Sequence, residues 1–243
     1  MPKILHSLLI GLFLLVNNQS AIPDSKRAAD IRGKVWPGLQ KSLHDMGLEE
    51  DQPIYLRIIK ETSTLQVWVY SGKEYKLFKS YDVCFFSGGL GTKMREGDNK
   101  SPEGYYTIKP SQLNPMSEYH LSINVGYPNA LEKQLKYTGD AIMIHGDCVS
   151  IGCFAMTDPV IEEIYTLVYE AFLHGQKSIE LSILPFKMDD AHMKTYASSP
   201  NIVFWRNLKT GYDIFQRTHL PPIVSVSNKS YVFTEANDLL ADK

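Results

Sequence analysis

Two periodicities divide the chain. Between residues 25 and 48, apolar positions recur every three or four residues, at Ala28, Ile31, Val35, Leu39 and Leu43. That is the spacing of an amphipathic helix, which Pro37 and Gly47 are expected to limit or kink. From Pro53 the pattern turns to strand. Ile54 to Ile59 and Leu65 to Tyr70 are β-rich runs, Ser71-Gly72 is a turn signal, and Tyr75 to Phe86 continues as a further run. Consecutive antiparallel strands are expected here. Ser87 to Gly104 is a long loop carrying Gly88, Gly89, Gly91, Gly97 and Gly104; long loops inside compact domains are usually functional or disordered.

Tyr105 to Ile108 resumes a strand, a polar region with Pro and Asn runs to Thr138, and Ala141 to His145 is a short apolar strand ending in a histidine. Asp158 and Pro159 then suit the N-cap and first position of a helix. Its apolar stripe is Val160, Ile161, Ile164, Leu167, Val168, Ala171 and Phe172, and Gly175 closes it after His174. Ile179 to Leu184 is another strand. Helix signals over 190–197 and 202–215 and a strand at Ile223 to Val226 complete the chain. The expected fold is mainly β with flanking helices, α+β overall.

The N-terminus adds a destination. Lys3 precedes an apolar stretch, Ile4 to Val16, of 13 residues, followed by Asn17 to Ala21. A basic start, a short apolar core and a small-residue exit read as a signal peptide over 1–21. A membrane-spanning helix needs about 20 residues, although an uncleaved anchor remains the alternative. The expected layout is then a helical segment over 22–50, a β-rich domain over 51–185, and a C-terminal helix and strand extension over 186–243 packed on that domain. Export implies a periplasmic location.

Composition narrows the partners. Among 243 residues, 25 Lys and Arg face 27 Asp and Glu, a net charge of -2. This lacks the basic excess of a nucleic-acid binder. Three cysteines are too few for a disulfide scaffold. Gly88 to Lys93 lacks the Gly-Lys-Ser/Thr order of a phosphate loop, so neither nucleic acid nor nucleotide is expected.

The segment Ile144-His145-Gly146-Asp147-Cys148-Val149-Ser150-Ile151-Gly152-Cys153 concentrates the chemistry. A strand-end histidine lies eight residues before a cysteine that directly follows a glycine. A thiol becomes a strong nucleophile as thiolate, and a neighbouring imidazole can take its proton while a helix N-terminus favours the anion. A tight turn at Gly152 could aim its own amide and that of Cys153 at a developing oxyanion. Two other arrangements stay open. His145, Cys148 and Cys153 could be zinc ligands, though the spacing is irregular, and Cys84 could pair with Cys148 as a disulfide.

His145-Gly146 followed by Ser150-x-Gly152-Cys153 resembles the signature of the YkuD-type L,D-transpeptidase catalytic domain. Ser101-Pro102-Glu103-Gly104-Tyr105-Tyr106 resembles another segment of that family. Within it the chain is most similar to the YafK-like branch, through Gly97-Asp98, Leu113-Asn114-Pro115, Gly126-Tyr127-Pro128-Asn129, Gly152 to Asp158, and a tail with Phe204-Trp205, Pro221-Pro222 and Tyr231-Val232-Phe233. The resemblance spans roughly 50 to 235. It implies that Cys153 attacks the L-centre carbonyl of diaminopimelate in a peptidoglycan stem peptide, with His145 as base and the turn at Ser150, Gly152 and Gly146 shaping the oxyanion site. A backbone carbonyl near the His-Gly pair would orient the histidine. No cofactor and no metal are implied. Two departures from the wider family, Ala155 and the short stretch between His145 and Cys153, fit the same branch. That branch implies hydrolytic release of a lipoprotein attached to peptidoglycan; cross-linking or lipoprotein attachment is the alternative, and a non-catalytic wall-binding module is the alternative of another class. Lys93, Tyr119, Ser122 and Tyr127 are the expected substrate contacts, with Lys93 meeting an acidic stem peptide.

Overall fold

The computed structural model describes residues 21–236; the segment read as a signal peptide lies, but for Ala21, outside them. Helix α1, Lys26–Asp45, starts at Ser25, whose hydroxyl accepts the Ala28 amide hydrogen, and runs on through Pro37. Its buried side is Ala28, Ile31, Leu39 and Leu43, four of the five positions in the sequence stripe.

Strands β1, Ile54–Ile59, β2, Thr64–Tyr70, and β3, Tyr75–Asp82, form the expected antiparallel meander. β1 is buried at every position, whereas β2 alternates buried and half-buried residues. The difference follows from neighbours: β1 also pairs in parallel with β9, Ile179–Leu184, which in turn pairs antiparallel with β4, Gly104–Ile108. The five-stranded order is β3-β2-β1-β9-β4. A central parallel strand covered on both faces reads as a continuous apolar run.

Two short strands and a short helix lie in the region that the sequence reads only as polar. After a 3-10 turn, Pro110–Gln112, come β5, Leu113–Asn114, β6, Ser122–Asn124, and α2, Ala130–Gln134. β7, Met143–His145, and β8, Phe154–Ala155, complete a four-stranded sheet, β5-β6-β7-β8. The run expected as one strand to Phe86 ends earlier, at Asp82. Val83 to Phe86 crosses to this second sheet, where Phe85 and Ala155 exchange backbone hydrogen bonds.

Helix α3, Asp158–Leu173, begins one residue earlier than expected, with Thr157 rather than Asp158 at the N-cap. It packs against α1. The C-terminal part comprises α4, Asp190–Thr195, α5, Ile202–Thr218, and a hairpin of β10, Ile223–Ser227, and β11, Ser230–Thr234. Its buried residues, Trp205, Leu208, Tyr212 and Tyr231, gather around Tyr105, Leu184 and Phe186 in a second apolar cluster. Among the described residues no helix is long and apolar enough to cross a membrane.

Candidate active site

The second sheet brings the histidine and the cysteine together. β7 and β8 run parallel, with Ile144 opposite Phe154 and His145 opposite Ala155. Side chains on one face recur every second residue, so Cys153 sits one such step behind His145 on the neighbouring strand. The Met143 amide hydrogen points at Cys153 Sγ, 3.4 Å from nitrogen to sulfur, and the thiol faces the Ala141 carbonyl at 3.6 Å. Cys153 is a free thiol, half-buried.

His145 is buried, and its Nδ1 lies 2.6 Å from the Gly146 carbonyl oxygen. A carbonyl oxygen only accepts, so Nδ1 carries the proton and Nε2 is left as a base. The Tyr119 ring lies against the imidazole, centroids 4.8 Å apart, while Ser122 is its cross-strand partner on β6. Burial holds the imidazole below its ordinary value of 6.5, despite the opposing pull of the Gly146 carbonyl and Asp147. Burial also pushes the Cys153 thiol above 9.0, against the Met143 amide, Ser150 and the Lys93 charge. Both shifts favour uncharged partners. The resting pair is a thiol beside a neutral imidazole, an arrangement in which a thiolate would form only by proton transfer to a base.

That assignment fixes a pH dependence. Protonation of His145 removes the base, so kcat/KM is expected to hold at neutral pH and to fall only below 6.5, the ordinary imidazole value. An acid limb centred above 6.5 in a pH–rate profile would contradict a buried, neutral histidine.

The turn between the two residues is held at each end. Ser150 Oγ donates to the Cys153 carbonyl at 2.9 Å. Gly152 has φ +105°, a left-handed conformation that favours glycine. At Gly146 the reason for glycine is space: a Cβ would come within 2.5 Å of the Asp158 carboxylate, which accepts the Asp147 amide hydrogen at 2.9 Å. The start of α3 is thus directed at the Gly146–Asp147 end of the turn. This differs from the helix N-terminus expected beside the thiol, and it fits a thiol whose pKa is raised.

A disulfide joins Cys84 to Cys148, Cα atoms 5.4 Å apart across 64 residues of sequence. It removes Cys148 from any ligand set, and among the described residues no cluster of three His, Cys, Asp or Glu could hold a metal. The bond fastens the turn between His145 and Cys153 to the crossing segment that bridges β8. Denatured, unreduced protein is expected to titrate with one thiol. The Cys84→Ser/Cys148→Ser variant is expected to lose about 2–4 kcal/mol in urea unfolding, and unchanged stability would contradict a constraint at this turn.

The remaining expected contacts divide. Tyr119 is 46% exposed and borders His145, whereas Ser122, opposite His145 on β6, is buried. Lys93 and Tyr127 do not face outward. The Lys93 ammonium is 3.0 Å from Asp98 Oδ1, donates to the Arg95 carbonyl, and lies over the Tyr127 ring. Burial would raise the Asp98 carboxyl, but the amides of Met94 and Arg95, the Lys93 ammonium and the Lys100 amide outweigh it and hold its pKa at about 2. The Tyr127 hydroxyl donates to the Thr138 carbonyl at 3.2 Å. Lys93 therefore meets an internal carboxylate, and its charge acts on the thiol from beneath the rim.

Sequence reasoning missed the support behind the rim. Lys60 and Glu103, both fully buried, form an ion pair of 3.0 Å. Lys60 also donates to the carbonyls of Gly91 and Ser101, while Glu103 accepts from the Gly91 amide and the Trp205 indole. Ser101 Oγ in turn donates to the Cys153 carbonyl at 3.4 Å. Glu103 stood inside a recognised segment, but nothing along the chain marked Lys60 as its partner.

Residues 53–180 match the YkuD family model, described as the L,D-transpeptidase catalytic domain. A curated relative named "Putative L,D-transpeptidase YafK", from Escherichia coli (strain K12), is 50% identical over 183 residues, 75% of this chain and 74% of the relative. Among solved structures, the helical cell shape determining protein Pgp2 from Campylobacter jejuni aligns at 20% identity and TM-score 0.43, over 78% of this chain and 80% of that one. A mutant form of the same protein aligns at 20% identity and TM-score 0.45, over 74% of this chain and 66% of that one. These structures are distant likenesses.

Proposed function

Because this chain belongs to the L,D-transpeptidase catalytic domain family, we propose that it is a periplasmic cysteine enzyme acting on diaminopimelate-containing stem peptides of peptidoglycan. The observation that carries the reading is the pairing of a free thiol, Cys153, with an imidazole whose Nδ1 is anchored on the Gly146 carbonyl and whose Nε2 is left as a base. In the proposed reaction the Cys153 sulfur adds to the L-centre carbonyl of diaminopimelate while Nε2 takes the thiol proton. Collapse expels the amine, which leaves with that proton, and a thioester remains. Water then attacks, His145 accepts its proton, and the acid is released as the thiol reforms. The Cys84–Cys148 disulfide supports an oxidising compartment, where such bonds persist.

The amide cleaved is proposed to be one that tethers a lipoprotein to diaminopimelate. An amine in place of water would make the same acyl-enzyme a transpeptidase. Digestion of purified sacculi carrying attached lipoprotein, read by mass spectrometry of muropeptides, tests this. Protein released by the unaltered enzyme and not by Cys153→Ala is the expected result. New diaminopimelate cross-links would assign transpeptidation, and identical profiles from both proteins would overturn catalysis in favour of wall binding.

A further inference from the structure

We propose that a pocket of about 560 Å³ between the rim loop and α5 is a second substrate site, which holds a carboxylate-bearing arm of the stem peptide whose scissile bond lies at Cys153. The inference rests on the peptidoglycan reading above. It transfers to this pocket the task that sequence had given to Lys93.

Lys100 links the pocket to the thiol. Its carbonyl oxygen lies 3.4 Å from where a Cβ on Gly152 would stand, and its amide is fixed by Asp98 Oδ1 at 3.1 Å. Its side chain runs to the far side of the rim. There the ammonium is 3.3 Å, and the Asn201 amide nitrogen 2.8 Å, from where a Cβ on Gly91 would stand. The absent side chain at Gly91 is what lets these two groups approach the same space. One residue thus abuts the nucleophile's turn with its backbone and lines the pocket with its charge.

The lining selects the occupant. Lys100 and Lys229 both face the pocket, and no aspartate or glutamate lines it. Among the described residues neither ammonium has an ion-pair partner, in contrast to Lys60 and Lys93. Asn201 stands at the N-cap of α5, yet its side chain caps no helix amide, so its own amide group is free for a ligand. Met94 and Val203, 48% and 74% exposed, and Phe204 add apolar wall. A pocket of a few hundred Å³ with apolar walls and a few convergent polar groups is the ordinary form of a small-ligand site. Two unpaired cations without a carboxylate ask for an anion. A diaminopimelate-containing stem peptide supplies several free carboxylates on an aliphatic backbone.

The pocket's origin points to specificity rather than to common chemistry. Asn201, Val203, Phe204 and Lys229 all lie beyond residues 53–180, the part matched by the catalytic-domain family model. The C-terminal extension therefore completes a site that the matched catalytic domain does not enclose alone.

The test compares two probes on the full-length protein: a diaminopimelate-containing tetrapeptide with free carboxylates, and the same peptide with its side carboxyls amidated. The unaltered enzyme is expected to prefer the acid form by about tenfold in kcat/KM, the scale of two partly solvated ion pairs. Lys100→Glu/Lys229→Glu is expected to abolish that preference, while Lys73→Glu/Lys76→Glu, exposed and away from the pocket, makes the same change in net charge and reports its effect alone. An equal preference in unaltered and doubly substituted protein would overturn the proposal. Binding of both peptides to Cys153→Ala protein, with and without the lysine substitutions, gives a readout without turnover. Lysine-dependent binding of the acid peptide supports the pocket, and binding indifferent to the lysines overturns it. Cys153-dependent turnover that ignores the lysines would sink this inference alone; lysine-dependent binding without any Cys153-dependent turnover would sink the catalytic reading and leave the pocket standing.

Discussion

Cys153→Ala is expected to lower turnover on a diaminopimelate-containing stem peptide by at least about a thousandfold, because the covalent route disappears with the sulfur. His145→Ala is expected to cost about 10²–10⁴-fold, the contribution of a positioned base. The two losses should not multiply. A nucleophile and its base act as a unit, so the double variant should be little worse than Cys153→Ala alone. His145→Ala should also recover as pH rises toward the thiol's own ionisation, which burial places above 9.0, since hydroxide then does what Nε2 did. Steady-state rates across pH for the three variants check this. Activity of Cys153→Ala within tenfold of the unaltered enzyme would remove the thiol from the mechanism.

The largest effect on stability is expected at the buried pair behind the rim. Lys60 and Glu103 are fully buried and meet at 3.0 Å; burial pushes the Lys60 ammonium down, and the Glu103 charge opposes that. Lys60→Met leaves the carboxylate without its cation, with only the Gly91 amide and the Trp205 indole as donors. Breaking one partner of such a pair costs about 3–5 kcal/mol. Lys60→Met/Glu103→Leu should lose less than the sum of its single variants, because neither charge is then stranded. Denaturant unfolding measures both. The same knot ties the Gly91 and Ser101 carbonyls, and Ser101 holds the Cys153 carbonyl, so activity should fall in the single variants even at temperatures where they remain folded. Single variants unfolding at the denaturant concentration of the unaltered protein would contradict the role of the pair.

Strong periodicity was readable directly. The runs at Ile54 to Ile59 and Ile179 to Leu184 are strands with the expected bounds, and the stripe from Val160 to Phe172 lies in α3. The catalytic sheet was harder to read because β5 to β8 have only two or three residues each, too short for any period to show. His145 and Cys153 were found by residue type and glycine context, whereas the parallel pairing that sets them side by side has no local signature. The apolar run Val83 to Phe86 looked like a continuation of β3, since composition does not say which sheet a strand joins. Lys93 looked like a rim cation, and only the folded loop shows that Asp98, five residues on, has taken its charge. Lys100 carried no signal at all, because its position depends on contact with Gly152 and with Asn201 in a distant helix.

The most direct test of the central claim is the intact mass of the protein during reaction with a diaminopimelate-containing tetrapeptide, followed by mapping of the modified residue. An acyl adduct on Cys153 that forms in the unaltered protein, forms more slowly in His145→Ala and is absent from Cys153→Ala is the predicted result. Turnover of the peptide with no adduct at Cys153 on any timescale, or an adduct that persists in Cys153→Ala, would contradict the thioester mechanism.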